Sequence, residues 1–180
     1  MCPCTGAQAV YGPVSTVPAQ GAKWTKETHA YQVDCPKGSW VTGFTVTTDS
    51  SIALDANLVQ NDILVTSLWP LRCSNGVSVG ESQKLRTLSK SRSASNRRDD
   101  GYKGITMFTG ELVDAVSLQP QGSGGAKYGG TGGGDVRRVT CPTGQVVTGI
   151  FGKATDSHVI SVGLSCRNIC AVGEACELDP

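Results

Sequence analysis

Short runs of alternating apolar and polar residues, broken by Gly, Pro, Asn and Asp, recur along the whole chain. No long window places apolar residues at i, i+3, i+4 and i+7, so the pattern predicts strands and turns rather than helices. One phrase occurs twice. Cys35-Pro36-Lys37-Gly38-Ser39-Trp40-Val41-Thr42-Gly43-Phe44 and Cys141-Pro142-Thr143-Gly144-Gln145-Val146-Val147-Thr148-Gly149-Ile150 share the form C-P-x-G-x-x-V-T-G-apolar. Pro fixes φ, Gly permits positive φ, and a β-branched run follows, which is the chemistry of a turn feeding a strand. The two units also close alike, on Val65, Leu68, Leu71 and Cys73 and on Val159, Val162, Leu164 and Cys166.

A third unit lies between them without cysteines. Tyr102–Phe108 reads as a strand, Thr109-Gly110-Glu111 as a turn and Leu112–Leu118 as a second strand. Three strand-rich units, at about residues 35–79, 100–121 and 136–168, imply three small sheets around a pseudo-threefold axis, each turning its apolar face inward. The expectation is one domain over residues 1–180, with the end segments 1–34 and 169–180 packed together.

Composition narrows the class. The 180 residues include 23 glycines and eight cysteines, and 16 basic against 15 acidic residues leave a formal charge of +1. That balance gives no reason to expect a nucleic-acid partner, and no stretch is long and apolar enough to span a membrane. An even cysteine count without two close metal clamps favours disulfides over zinc, and hence a secreted, extracellular protein. A cysteine opening the first strand of a unit and another closing the last suits a staple, so Cys35–Cys73 and Cys141–Cys166 are the expected pairs. Cys2 and Cys4 are expected to join Cys170 and Cys176, bringing the termini together. A zinc ion held by those last four is the weaker alternative. Residues 1–20 lack the basic start and apolar run of a leader, so the sequence reads as a mature form with Met1 left by expression. There is no N-x-S/T sequon.

Two linking segments carry their own signals. Residues 80–100 hold Lys84, Arg86, Lys90, Arg92, Arg97 and Arg98 among many serines, and read as a solvated mobile loop. Arg97-Arg98 would suit processing, and the loop as a whole an anionic polysaccharide. The stretch from Gly122 to Gly134 has a linker's composition, yet its place between strand units argues for a tight connection.

From about residue 99 to 167 the sequence resembles the jacalin-like lectins, especially their mannose-binding members. The resemblance is carried by Asp100-Gly101-Tyr102-Lys103-Gly104-Ile105, by Phe108-Thr109-Gly110-Glu111-Leu112-Val113-Asp114, by Tyr128-Gly129-Gly130-Thr131-Gly132-Gly133 and by the Gly149-Ile150-x-Gly152 strand. It implies an all-β, disulfide-stapled β-prism of three four-stranded Greek-key sheets. It also implies a hexose site at one sheet tip, with Gly110, Glu111, Leu112, Val113 and Asp114 as one wall and Gly132 and Gly133 as the other. The C-P-x-G-x-x-V-T-G phrase is more loosely similar to vitelline-membrane outer-layer proteins.

The residue chemistry agrees. A carboxylate such as Asp114 accepts hydrogen bonds from two vicinal hydroxyls, backbone N–H groups of residues 111–113 donate to sugar oxygens, and glycines at 132 and 133 admit the ring where a Cβ would collide. Neither metal nor cofactor is needed. G-x-x-x-D recurs at Gly152–Asp156, but the position matching Asp114 in that unit reads as Val159, so no second site of this type is expected. The first unit has no such motif, although its insertion from Asp49 to Asp62 could build something of its own. A single site per chain would need a homo-oligomer for multivalency.

His29 and His158 fall in no catalytic motif, so no enzyme is expected. Trp40 reads as core, while Trp24 and Trp69 read as exposed stacking candidates. The leading function is a soluble lectin for hexose-bearing glycans, mannose-type among them. The alternative is a structural extracellular coat or matrix protein with little sugar affinity.

Overall fold

A computed structural model describes residues 2–3, 9–50, 63–83, 85–121, 124–170 and 175–176. The strands are β1 (Cys2–Pro3), β2 (Ala9–Gly21), β3 (His29–Asp34), β4 (Val41–Asp49), β5 (Leu64–Ser67), β6 (Leu71–Cys73), β7 (Ser78–Val79) and β8 (Ser91–Arg97). They continue with β9 (Tyr102–Thr109), β10 (Val113–Pro120), β11 (Ala126–Gly129), β12 (Asp135–Thr140), β13 (Gln145–Ala154), β14 (Ser161–Cys170) and β15 (Ala175–Cys176). No helix occurs among the described residues.

The repeated phrase builds the same device twice. Ser39 N–H donates to Pro36 C=O and Gln145 N–H to Pro142 C=O, each at 3.0 Å. The third residue of each turn is a glycine at positive φ, +87° at Gly38 and +81° at Gly144, as a type II turn demands. The V-T-G that follows then shifts register at the same place in both copies, between Val41 and Gly43 and between Val147 and Gly149. A Cβ on Gly43 would stand 2.8 Å from Asn96 O, and one on Gly149 2.9 Å from Val33 O. Only glycine lets the neighbouring backbone come that close. Cys35–Cys73 and Cys141–Cys166 are both disulfides, with Cα separations of 5.7 and 5.8 Å. Both pairs are the ones expected.

Three antiparallel sheets result. In the first, β4 carries β8 along one edge and β5 then β6 along the other, with β7 beyond β6. The middle sheet runs β11-β10-β9-β12 and the third β2-β14-β13-β3. Each turns one face to a shared core, in which Phe44 from the first sheet meets Tyr102 from the middle edge-on, at 4.9 Å and 81°. Tyr31 from the third sheet lies 4.5 Å from Trp69. Ile105, Met107, Leu118, Ile150 and Leu164 are fully buried in the same cluster, and side chains of that size each contribute about 1.5–3 kcal/mol by leaving water. Three sheets wrapped on one core form a β-prism.

The strands are partitioned differently from the sequence units. β12 pairs with β9 and completes the middle sheet, while β2 and β3, from the N-terminal segment, complete the third. Residues 80–100 are not one mobile loop: Ser91–Arg97 forms β8 and pairs with β4 from Gly43 to Asp49, giving the first sheet a fifth strand. As an edge strand β8 buries little on either face, so no apolar alternation announced it. The glycine-rich stretch holds β11 and short connections; Gly122 and Ser123 lie outside the described residues, as do Lys84 and most of the Asp49–Asp62 insertion.

At the ends, Cys2 pairs with Cys176 and Pro3 with Ala175 in a two-stranded ladder. Cys170 is disulfide-bonded. Cys4 and the side chains of Cys2 and Cys176 lie outside the described residues, so the expected terminal pairing does too.

Candidate functional site

The β9–β10 and β11–β12 connections leave the same end of the middle sheet. Gly110 N–H donates to Leu112 C=O at 3.0 Å, pinching the first turn tight. Leu112 then turns inward onto Leu64, Ile160, Ala22 and Trp24, and Val113 enters the main core. The strand register slips between Val113 and Ala115. That bulge re-aims Asp114, which would otherwise follow the regular pleat. Asp114 is 8% exposed and is engaged within the protein. Its carbonyl accepts the N–H of Gly130 at 2.9 Å, tying the second connection to the first.

The two walls meet at the Asp114 carboxylate. A Cβ built on Gly132 would overlap Oδ1 and lie 3.1 Å from Cγ, while one on Gly110 would lie 3.7 Å from Oδ2. Gly133 has a different duty: at φ +86°, its Cβ would stand 2.7 Å from the carbonyl carbon of Phe108 and 2.8 Å from Thr109 N. It serves the backbone, whereas Gly132 faces the acid. Glu111 is exposed at the rim; Leu112 and Val113 can offer only backbone groups outward, because their side chains are buried.

One neighbour carried no motif. Lys23 N–H donates to Gly110 C=O at 3.0 Å, and Lys23 Nζ lies 3.0 Å from Asp135 Oδ2 at the start of β12. Arg137 reaches the same carboxylate at 3.5 Å. The hydrogen bond and charge of Lys23 hold the Asp135 carboxyl below its ordinary pKa. Lys23 thus bridges both connections from the segment after β2, and only the fold brings it there. Trp24, next to it, is half-buried against Leu112, and its indole N–H has no hydrogen-bond partner among the described residues.

The other aromatic candidates resolve otherwise. Trp40 is core as expected, its indole N–H donating to Asp99 C=O at 3.2 Å. Trp69 is not exposed: only 5% of it is accessible, because Tyr31 packs on its ring and Gln83 C=O accepts its indole N–H at 2.6 Å. His29 is exposed. His158 is buried, with Nδ1 2.6 Å from Ser157 Oγ and Nε2 without a partner among the described residues. Burial lowers its pKa; Asp49 and Asp156 pull it back up and Arg86 lowers it further. Among the described residues no group of three or more His, Cys, Asp or Glu side chains could hold a metal.

The third sheet corrects one alignment. Its Ala154–Val159 bridge is the counterpart of the Thr109–Val113 pair. Val159 therefore answers to Val113, and Ile160, buried against Leu112, answers to Asp114. A one-residue longer turn displaced the match by one position, and no carboxylate stands there.

No protein-family model matches the chain, and no curated protein sequence does. Solved structures do. A prostate-specific WGA16 glycoprotein lectin superposes over 84% of this chain and 99% of its own, with TM-score 0.58 and 14% identity. A single-chain recombinant jacalin matches over 87% and 95%, with TM-score 0.53 and 16% identity. The fold is that of the jacalin-related lectins. A mannose-specific jacalin-related lectin from Morus nigra, solved with mannose, shares the β-prism over 91% of this chain and 97% of its own, with TM-score 0.53 and 13% identity.

Proposed function

We propose that this β-prism is a secreted lectin that binds hexose-bearing glycans, mannose-type among them, at the tip of its middle sheet and without a metal ion. The observation that carries the proposal is the approach of both glycines to the Asp114 carboxylate, where a Cβ on Gly132 would overlap Oδ1 and one on Gly110 would lie 3.7 Å from Oδ2. A carboxylate flanked by glycine backbone can accept from sugar hydroxyls with lone pairs its internal contact leaves over, and the glycines admit the ring where a Cβ would collide. The neighbours in fold are lectins, which adds support at the level of architecture. The exposed Glu111 would lie on the rim and tune which sugars enter. No chemical step is assigned to the site, since recognition alone needs none.

A glycan array probed with the wild type and Asp114→Asn tests this. Binding to hexose-terminated glycans that the variant loses, with its far-UV spectrum unchanged, supports the lectin. The disulfides placed alike in both repeats favour a second reading, a durable extracellular coat or matrix protein. Absence of binding to every glycan at high protein concentration would favour that reading and remove the first.

A further inference from the structure

The outer face of the first sheet carries rows of hydroxyls. Ser67, Thr47 and Ser93 lie opposite one another across β5, β4 and β8, and Thr45 faces Ser95 in the next row. Directly paired residues share a sheet face, and the alternate β4 residues Phe44 and Val46 fill the core. The segment after β7 borders an open groove of about 570 Å³ on this face, with Glu81, Leu85 and Arg86 on one side and Trp69 and Pro70 at the base. A second cavity of about 300 Å³ continues it past Glu81 and Pro70 to Ser95 and Arg72. Together they fall in the size range of small-ligand clefts.

Hydrogen bonds tie the described residues of this wall to the fold. Trp69 donates to Gln83 C=O, Gln83 N–H to Gly80 C=O at 3.0 Å, and Arg86 N–H to Asp156 C=O at 2.7 Å. On the floor, Thr47 Oγ1 and Ser93 Oγ lie 2.8 Å apart, and each hydroxyl keeps capacity for another bond. Glu81 and Arg86 are exposed and form no ion pair among the described residues.

We propose that this groove is a second saccharide site, separate from the sheet tip, that takes a neutral oligosaccharide of about two or three rings. Paired hydroxyls match vicinal diols, Glu81 accepts and Arg86 donates at the rim, and Leu85 and Pro70 offer apolar surface to a sugar's C–H face. A polyanion fits less well. Strand alternation turns Arg92 to the opposite face from Ser91, Ser93 and Ser95, and Arg97 is paired with Asp99 at 3.0 Å.

The test is an ¹⁵N–¹H titration of the full chain with mannotriose, cellotriose, chitotriose and a heparin-derived hexasaccharide. Wild type, Asp114→Asn, Ser93→Trp and Glu81→Gln are compared. At least one neutral triose is expected to move the Thr47, Ser93 and Arg86 amides in the wild type and in Asp114→Asn. Ser93→Trp, which fills the groove from an exposed strand position, should abolish those shifts, and Glu81→Gln should weaken them about tenfold, the worth of one charge-assisted hydrogen bond. If Ser93→Trp fails to fold, Glu81→Gln carries the same test. Shifts confined to Gly132 and its neighbours would overturn the second site and leave the tip intact. A groove that responds to heparin alone, or to nothing at millimolar concentration, would also overturn it.

Discussion

Gly132→Ala separates a glycine kept for a ligand from one kept for the chain. The new Cβ would overlap Asp114 Oδ1 and stand 3.1 Å from Cγ, inside ordinary contact, so the carboxylate must rotate. A side chain pushed some 30° off its rotamer costs about 0.5–1.5 kcal/mol, and that much stability corresponds to a fall in Tm of about 1–6 °C for a chain this long. The displaced carboxylate would lose one or two charge-assisted hydrogen bonds to the sugar, each worth about 1.5–3 kcal/mol, so affinity should fall at least tenfold. Gly133→Ala should do the reverse. Positive φ costs a non-glycine residue about 1–2 kcal/mol, and contacts of 2.7 and 2.8 Å to Phe108 and Thr109 backbone demand a further shift, so stability suffers first. Thermal melts and calorimetric titration with the strongest array ligand measure both. Unchanged affinity in Gly132→Ala, with Tm also unchanged, would refute the placement of Asp114 as the acceptor.

Three further outcomes are expected. Replacing Cys35 and Cys73 together by Ala opens a loop with a sequence separation of 38 and should lower stability by about 4 kcal/mol in the chain-entropy model, slightly more than the Cys141–Cys166 pair with its separation of 25; urea denaturation of both double variants checks the order. Asp114→Asn keeps the shape of the side chain but removes its charge and turns one acceptor into a donor, so a stability loss of about 1 kcal/mol, or about 2–4 °C in Tm, should accompany a drop in glycan affinity of about tenfold or more. His158 has a lowered pKa in the folded protein, so the unfolded chain binds its proton first: stability is complete above the ordinary imidazole range near 6.5 and falls as pH drops through and below it. Urea midpoints at pH 8 and pH 5 should therefore differ more for the wild type than for His158→Gln, and equal differences would remove His158 from the cause.

What could be read from the chain was whatever local chemistry dictates. The two C-P-x-G-x-x-V-T-G phrases announced a glycine turn, a strand and a staple, and each of these is present at both copies. What could not be read depends on neighbours. β2 carries Pro13 and Pro18, which argue against a strand, yet it lies at the edge of the third sheet, where a missing N–H goes unused. β8 is Ser-Arg-Ser-Ala-Ser-Asn-Arg, without an apolar stripe, and becomes a strand because β4 has an edge to offer. Trp69 reads as exposed from its local sequence, and Tyr31 from the third sheet and the turn after β7 cover it. At the tip, the acid and the glycines were legible as types, while Lys23 was reached only through the fold.

The most direct trial of sugar recognition at the middle sheet is a crystal structure with the glycan that gives the strongest array signal. A hexose is expected with two adjacent hydroxyls on the Asp114 carboxylate and its ring against Gly132. A sugar bound elsewhere on the prism, with Asp114 and Gly132 closed to it, would contradict the proposal.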